Sequence, residues 1–245
     1  MDNALIQLKE VSFAAQDKQI VSGVSLDIFR GTTTAFVGPS GGGKSSVLKL
    51  TAGLILPTSG QVQFRGHPVA TMSRARNLAF RRESAFVFQD SALWANQSIR
   101  QILELPLKVH YPDMNQKQRT ERIVEVLAQS GYKKNLDIRP SELSMGEQKL
   151  IAFSRALLCD PKILFLDEWT ESLDDAAARR LISIVKKKQA EGATIAFVSH
   201  NLGIIQSLAG TICMIADGKL TLTVSAEEFE RDSGLAKTIE QGIAQ

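Results

Sequence analysis

Two cysteines among 245 residues, Cys159 and Cys213, stand apart from each other, and no CxxC spacing occurs. Each sits among apolar neighbours and is expected as a small core residue, so neither a disulfide framework nor a thiolate metal site is indicated. Long apolar runs are missing as well. None approaches the ~20 residues that a membrane-spanning helix needs. Met1-Asp2-Asn3-Ala4 has no basic region leading into an apolar stretch, so no signal peptide is expected there. The net charge is only +3, which leaves no basic footprint for nucleic acid. Internal repeats and low-complexity segments are absent. What is there is ordinary for a globular protein, 44% hydrophobic and 22% charged, at a length that suits one large domain or two small ones.

The organising stretch is Gly38-Pro39-Ser40-Gly41-Gly42-Gly43-Lys44-Ser45-Ser46. It fits the phosphate-loop pattern GxxxxGK followed by Ser or Thr. Thr34 to Val37 before it reads as a buried strand, and Val47 to Ala52 after it as a helix stopped by Gly53. That strand–loop–helix context is the one the motif requires. Glycines let backbone N–H groups turn inward around an anion, and the helix N-terminus adds partial positive charge. Lys44 supplies a full charge to the outer phosphates, and the Ser45 hydroxyl can ligate magnesium.

Along the chain, strands are expected at Leu5 to Phe13, Val24 to Phe29, Gly60 to Gly66 and Ala85 to Gln89. Ser73 can cap a short helix carrying Arg74, Arg76, Arg81 and Arg82, whose charges read as a solvated face. From about residue 98 to 158 the pattern is helical, with caps at Ser98 and at Asn115, the latter paired with Gln118. A helix from Asp175 to Glu191 closes at Gly192. A strand runs from Ala193 to Val198, and Ile212 to Val224 looks like a hairpin turning at Asp217-Gly218. From Ser225 onward the chain reads as helical and polar. The fold class is α/β: a P-loop core with a mostly parallel sheet, an antiparallel β subdomain and a helical insertion. The boundaries expected are 1–90 with 160–224 for the core, 91–159 for the insertion and 225–245 for a helical tail.

Ile163-Leu164-Phe165-Leu166-Asp167-Glu168 is an apolar strand ending in two acids. Such a strand suits the centre of a parallel sheet, with its carboxyl end facing the ligand. Asp167 suits magnesium, and Glu168 suits polarising an attacking water. Pro140 to Gln148 precedes a helix, and Ser144 reads there either as a plain cap or as part of an anion site.

In order, the chain carries GPSGGGKSS, FQD at 88–90, LSMGEQ at 143–148, ILFLDE at 163–168, ESLD at 171–174, and Ser199-His200. This series resembles the ATPase subunit of an ABC transporter, over roughly residues 5 to 224. The resemblance implies ATP and Mg2+ as cofactors, with the phosphate loop from Gly38 to Ser46 on the nucleotide and Ser45, Gln89 and Asp167 on the metal. Catalytic roles fall to Glu168, Gln89 and His200, the last as the switch on the γ-phosphate. Ser144 and Gly146 resemble the signature pair that acts on the nucleotide of a second copy, and Asp174 the aspartate that crosses that interface.

Four positions depart from the family pattern. Met145 and Glu147 replace a glycine and a glutamine of the signature, and Glu147 brings negative charge near a phosphate. Trp169 replaces a proline after Glu168. Ala15 stands where an aromatic stacks on adenine, with Phe13 nearby and expected in the core.

Residues 72–107 resemble the ATPase of Mla/Mce-type phospholipid transporters. That implies a transmembrane permease dimer, a small regulatory subunit, a substrate-binding or Mce-type protein, and a peripheral place on the cytoplasmic face of the inner membrane. Another ABC importer or exporter, or a soluble iron–sulphur-cluster-assembly ATPase, stands as the alternative. Leu93 and Trp94, expected to be exposed, suit a permease groove.

Overall fold

The computed structural model describes residues 4–244. Met1–Asn3, on which the signal-peptide expectation rests, and Gln245 lie outside it. The chain forms two compact units, one built from residues up to Asn77 and from Gly192 onward, the other from Leu78–Glu191.

The first unit holds two sheets. Strands β1 (Ile6–Ala15), β2 (Lys18–Ile28), β4 (Ser59–Phe64) and β5 (His67–Pro68) form an antiparallel sheet in the order β2-β1-β4-β5. In β1, Ile6, Leu8 and Val11 are buried. The register shifts between Leu8 and Val11, as a bulge does. The second sheet centres on β3 (Thr33–Val37), buried at every position. Parallel β8 (Thr194–Val198) lies on one side of it and parallel β9 (Thr211–Ala216) on the other. Antiparallel β10 (Lys219–Ser225) closes the edge through the turn at Asp217-Gly218. Strands this apolar are covered on both faces, here in part by α1 (Lys44–Thr51) and α9 (Ser233–Ala244).

The second unit pairs β6 (Ser84–Val87) with β7 (Ile163–Asp167) in parallel register, Ser84 opposite Ile163. Helix α2 (Arg74–Glu83) leads into it, and helices α3 (Ile99–His110), α4 (Gln116–Ser130), α5 (Met145–Leu157) and α6 (Asp175–Ala190) belong to it. Ser98 with Gln101, Asn115 with Gln118 and Ser144 with Glu147 each form a reciprocal capping box. Such a cap contributes about 1 kcal/mol. Gly131 ends α4 at φ +83, and a Cβ there would meet the Arg180 guanidinium at 2.2 Å.

Four expectations need correction. Helix α7 (Leu202–Leu208), capped by the Asn201 side chain, was not expected, because its seven residues are too few to show periodicity. The tail is helical, but α8 (Ala226–Arg231) and α9 each bury an apolar anchor, Phe229 and Ile239. Phe13 is half-buried rather than in the core, at a point where the register of β1 with β2 shifts on both sides of it. Cys213 is buried, but Cys159 is only half-buried, where the chain leaves α5 for Pro161.

Candidate functional site

In the first unit the phosphate loop bridges β3 and α1, and it is moulded by backbone rather than by side chains. A Cβ on Gly38 would lie 2.1 Å from the Ile215 carbonyl oxygen, and one on Gly42 would lie 2.9 Å from the same oxygen. The Gly218 N–H donates to the Gly42 carbonyl at 3.0 Å. So the loop rests on the β9–β10 turn, and any side chain would lift it off. Gly41 is different: open space surrounds it, and its φ of +73 is what demands glycine. The Lys44 ammonium, 6% exposed, donates to the loop's own carbonyls at Gly38 (2.8 Å) and Pro39 (2.7 Å). Ser40 and Gly41 face solvent, and Ser45 and Ser46 are half-buried on the first turn of α1. Loop N–H groups, a helix N-terminus and a lysine held over them suit a phosphate. His200, exposed, follows β8; its neighbour Asn201 is fixed by the Ser199 hydroxyl at 3.1 Å. Ala15, at the end of β1, is half-buried and offers no ring.

In the second unit, Asp167 ends β7 almost fully buried, and Glu168 follows at 9% exposure with φ +44. The Glu168 carbonyl accepts from the Glu171 N–H at 3.2 Å, tightening the turn. Trp169, fully buried, anchors that turn. Gln89 lies just past β6, and its side-chain amide donates to Glu171 at 3.1 Å. A buried carboxylate pairs with cations, and Asp167 is a hard oxygen donor of the kind magnesium takes, as the Ser45 hydroxyl is in the first unit.

Ser144 caps α5, and its hydroxyl is shared with Glu147: it accepts from the Glu147 N–H at 3.3 Å and donates to the carboxylate at 3.1 Å. Lys134 reaches that carboxylate at 2.8 Å. Hydrogen bonds from Lys134 and then Ser144 hold the Glu147 carboxyl below its usual range. The charge expected to disturb a phosphate is therefore already matched by a cation 13 residues away in sequence. Gly146 is closely packed, since a Cβ would come 3.0 Å from the Ser172 carbonyl. Asp174 caps α6 through the Ala177 N–H at 2.8 Å.

Two residues beneath Gln89 were not singled out from the sequence. Lys149 and Arg155, both on α5, donate to backbone carbonyls of residues 88–92. A signal for Lys149 was present: it stands three, four and seven residues before Ala152, Phe153 and Ala156, within the apolar stripe.

Phosphate is what a loop of this construction holds, and the class so defined is the P-loop nucleotide-binding proteins. Within that class the chain belongs to the ABC transporter family, whose pattern matches residues 21–171. It is an ATP-binding subunit, an ATPase whose hydrolysis is coupled to transport. The nickel import ATP-binding protein NikE of Brucella suis is 34% identical over 221 residues, covering 89% of this chain and 83% of that one. NikE of Escherichia coli is 33% identical over 226 residues, covering 89% and 84%. Among solved structures, the dimeric ATP-binding cassette MJ0796 bound to ADP and phosphate superposes with a TM-score of 0.83 at 26% identity, covering 90% of this chain and 98% of that one. Among the described residues no helix is long and apolar enough to cross a membrane.

Proposed function

We propose that this chain hydrolyses ATP at sites shared between two copies and passes the resulting motion to a membrane permease. The observation that carries this reading is the phosphate loop, whose Lys44 ammonium is held by two loop carbonyls that phosphate oxygens can replace. Residues Gly38 to Ser46 hold the phosphates. Ser45, Gln89 and Asp167 hold magnesium, which when bound neutralises charge on the phosphate oxygens. Glu168 polarises the attacking water, and His200 contacts the γ-phosphate. Ser144 and Gly146 complete the site of the second copy across Asp174. The insertion at 91–159 carries the signature pair and the permease contact. In this reading the protein sits on the cytoplasmic face of the inner membrane, held there by its permease.

The test mixes Ser144→Arg chains with Lys44→Ala chains. If sites are shared, a heterodimer has one doubly damaged site and one intact site, so activity partly returns. No recovery despite demonstrated heterodimers overturns sharing.

Cargo is the finer question. The phospholipid reading, with its Mce-type and regulatory partners, rests on residues 72–107 alone and draws no support from the relatives, whose names point to nickel import. Identifying the co-purifying permease, then assaying that complex for lipid transfer between vesicles and for nickel uptake, separates the two.

A further inference from the structure

Helix α5 reaches into the segment that follows β6 with two cations. The Lys149 ammonium, 3% exposed, donates to the Phe88 carbonyl at 3.4 Å and to the Gln89 carbonyl more closely. One and a half turns on, the Arg155 guanidinium donates to the Ala92 carbonyl at 2.7 Å and the Ser91 carbonyl at 3.1 Å. Its Cζ also lies 5.8 Å from the centre of the Trp94 ring.

Four carbonyls within five residues are thus held by one helix. Two of them belong to residues in unfavourable backbone: Ser91 at φ +64 and Ala92 at φ +44, neither a glycine. An L-residue keeps such a conformation only where its surroundings impose it, and Arg155's planar fork is suited to imposing it on adjacent carbonyls. Burial pushes the Lys149 ammonium down from its usual range, while Glu171, Asp167, Asp90 and Glu168 pull it back up.

We propose that Lys149 and Arg155 are positioning residues that clamp residues 88–92 to α5, so that Gln89, Trp94 and the Ser144 end of the same helix move as one body. The clamp rests on the ATPase reading above only for its effect on turnover; its mechanical claim stands by itself.

Hydrogen exchange of the full chain, read by mass spectrometry, tests that claim. In Lys149→Met, peptides spanning 88–94 should exchange at least tenfold faster, with β3 and β8 unchanged. Arg155→Lys, which keeps the charge and loses the fork, should accelerate the same peptides severalfold. Lys149→Arg should restore slow exchange. Turnover should follow: in Lys149→Met kcat falls at least tenfold while KM for ATP stays within twofold, and Lys149→Arg recovers much of the loss. Unchanged exchange at 88–94 in both Lys149→Met and Arg155→Lys overturns the clamp. So does acceleration spread evenly over the second unit, which would mark general destabilisation. If the unmodified chain hydrolyses no ATP, the exchange result still decides the clamp, and only the ATPase reading fails.

Discussion

Trp169 stands directly after Glu168, and its ring is the largest fully buried side chain among the described residues. Glu168 itself takes φ +44, a conformation that L-residues resist. An anchor of that size at the next position holds the carboxylate's turn in place. Trp169→Ala should therefore lower unfolding free energy by ~3–5 kcal/mol, the range for a buried aromatic truncation. Urea denaturation followed by circular dichroism checks this; a loss under ~1 kcal/mol would mean the ring carries little packing. From sequence, Trp169 registered only as a departure from a family pattern. Its burial could not be read, because a lone aromatic between acids fits neither helical nor strand periodicity. Glu147 shows the same limit from the other side. Its negative charge was legible, but Lys134, 13 residues earlier and joined through the loop after α4, was not.

At the scale of elements, periodicity and caps served well for the long helices, whereas β2 (Lys18–Ile28) was expected only from Val24 onward. Helices α3 and α4 begin at the caps the sequence announces, at Ser98 and Asn115, and α4 ends at Gly131. Elements short of two turns or built on bulges escaped, as with α7 and the face of β1 that carries Phe13. In the function proposed above, the stretch between β6 and α3 carries the permease contact. Trp94 is 48% exposed there, beside a groove of about 470 Å³ that it lines with Gln101, Leu105 and Lys108. An exposed tryptophan at the rim of an apolar groove is the kind of anchor that dominates an interface. Trp94→Ala should cut co-purification with the permease at least tenfold while unfolding stays cooperative, its midpoint lowered only by loss of the buried half of the ring. Full recovery of the complex would remove Trp94 from the interface.

For the whole molecule, the phosphate loop, the acidic strand end and the order of motifs were legible because each has a fixed chemical spacing. Which carbonyls hold a buried cation, or which turn supports a glycine, depends on contacts between distant stretches and has no such spacing. If the signature acts on a partner's nucleotide, activity should depend on encounter between copies. Hydrolysis by the isolated chain should then rise faster than linearly with protein concentration until dimers saturate. A strictly linear rate across a hundredfold range centred on the dissociation constant would show that one copy suffices.

The loop at Gly38 and Gly42 lies against the Ile215 to Gly218 turn, which the ribosome adds more than 170 residues later. A nascent chain therefore carries the complete loop sequence long before it has the surface that shapes it. From the synthesis of Gly42 until the β9–β10 hairpin emerges, this nucleotide motif is text without a mould, and that hairpin supplies the surface on which the loop takes its shape.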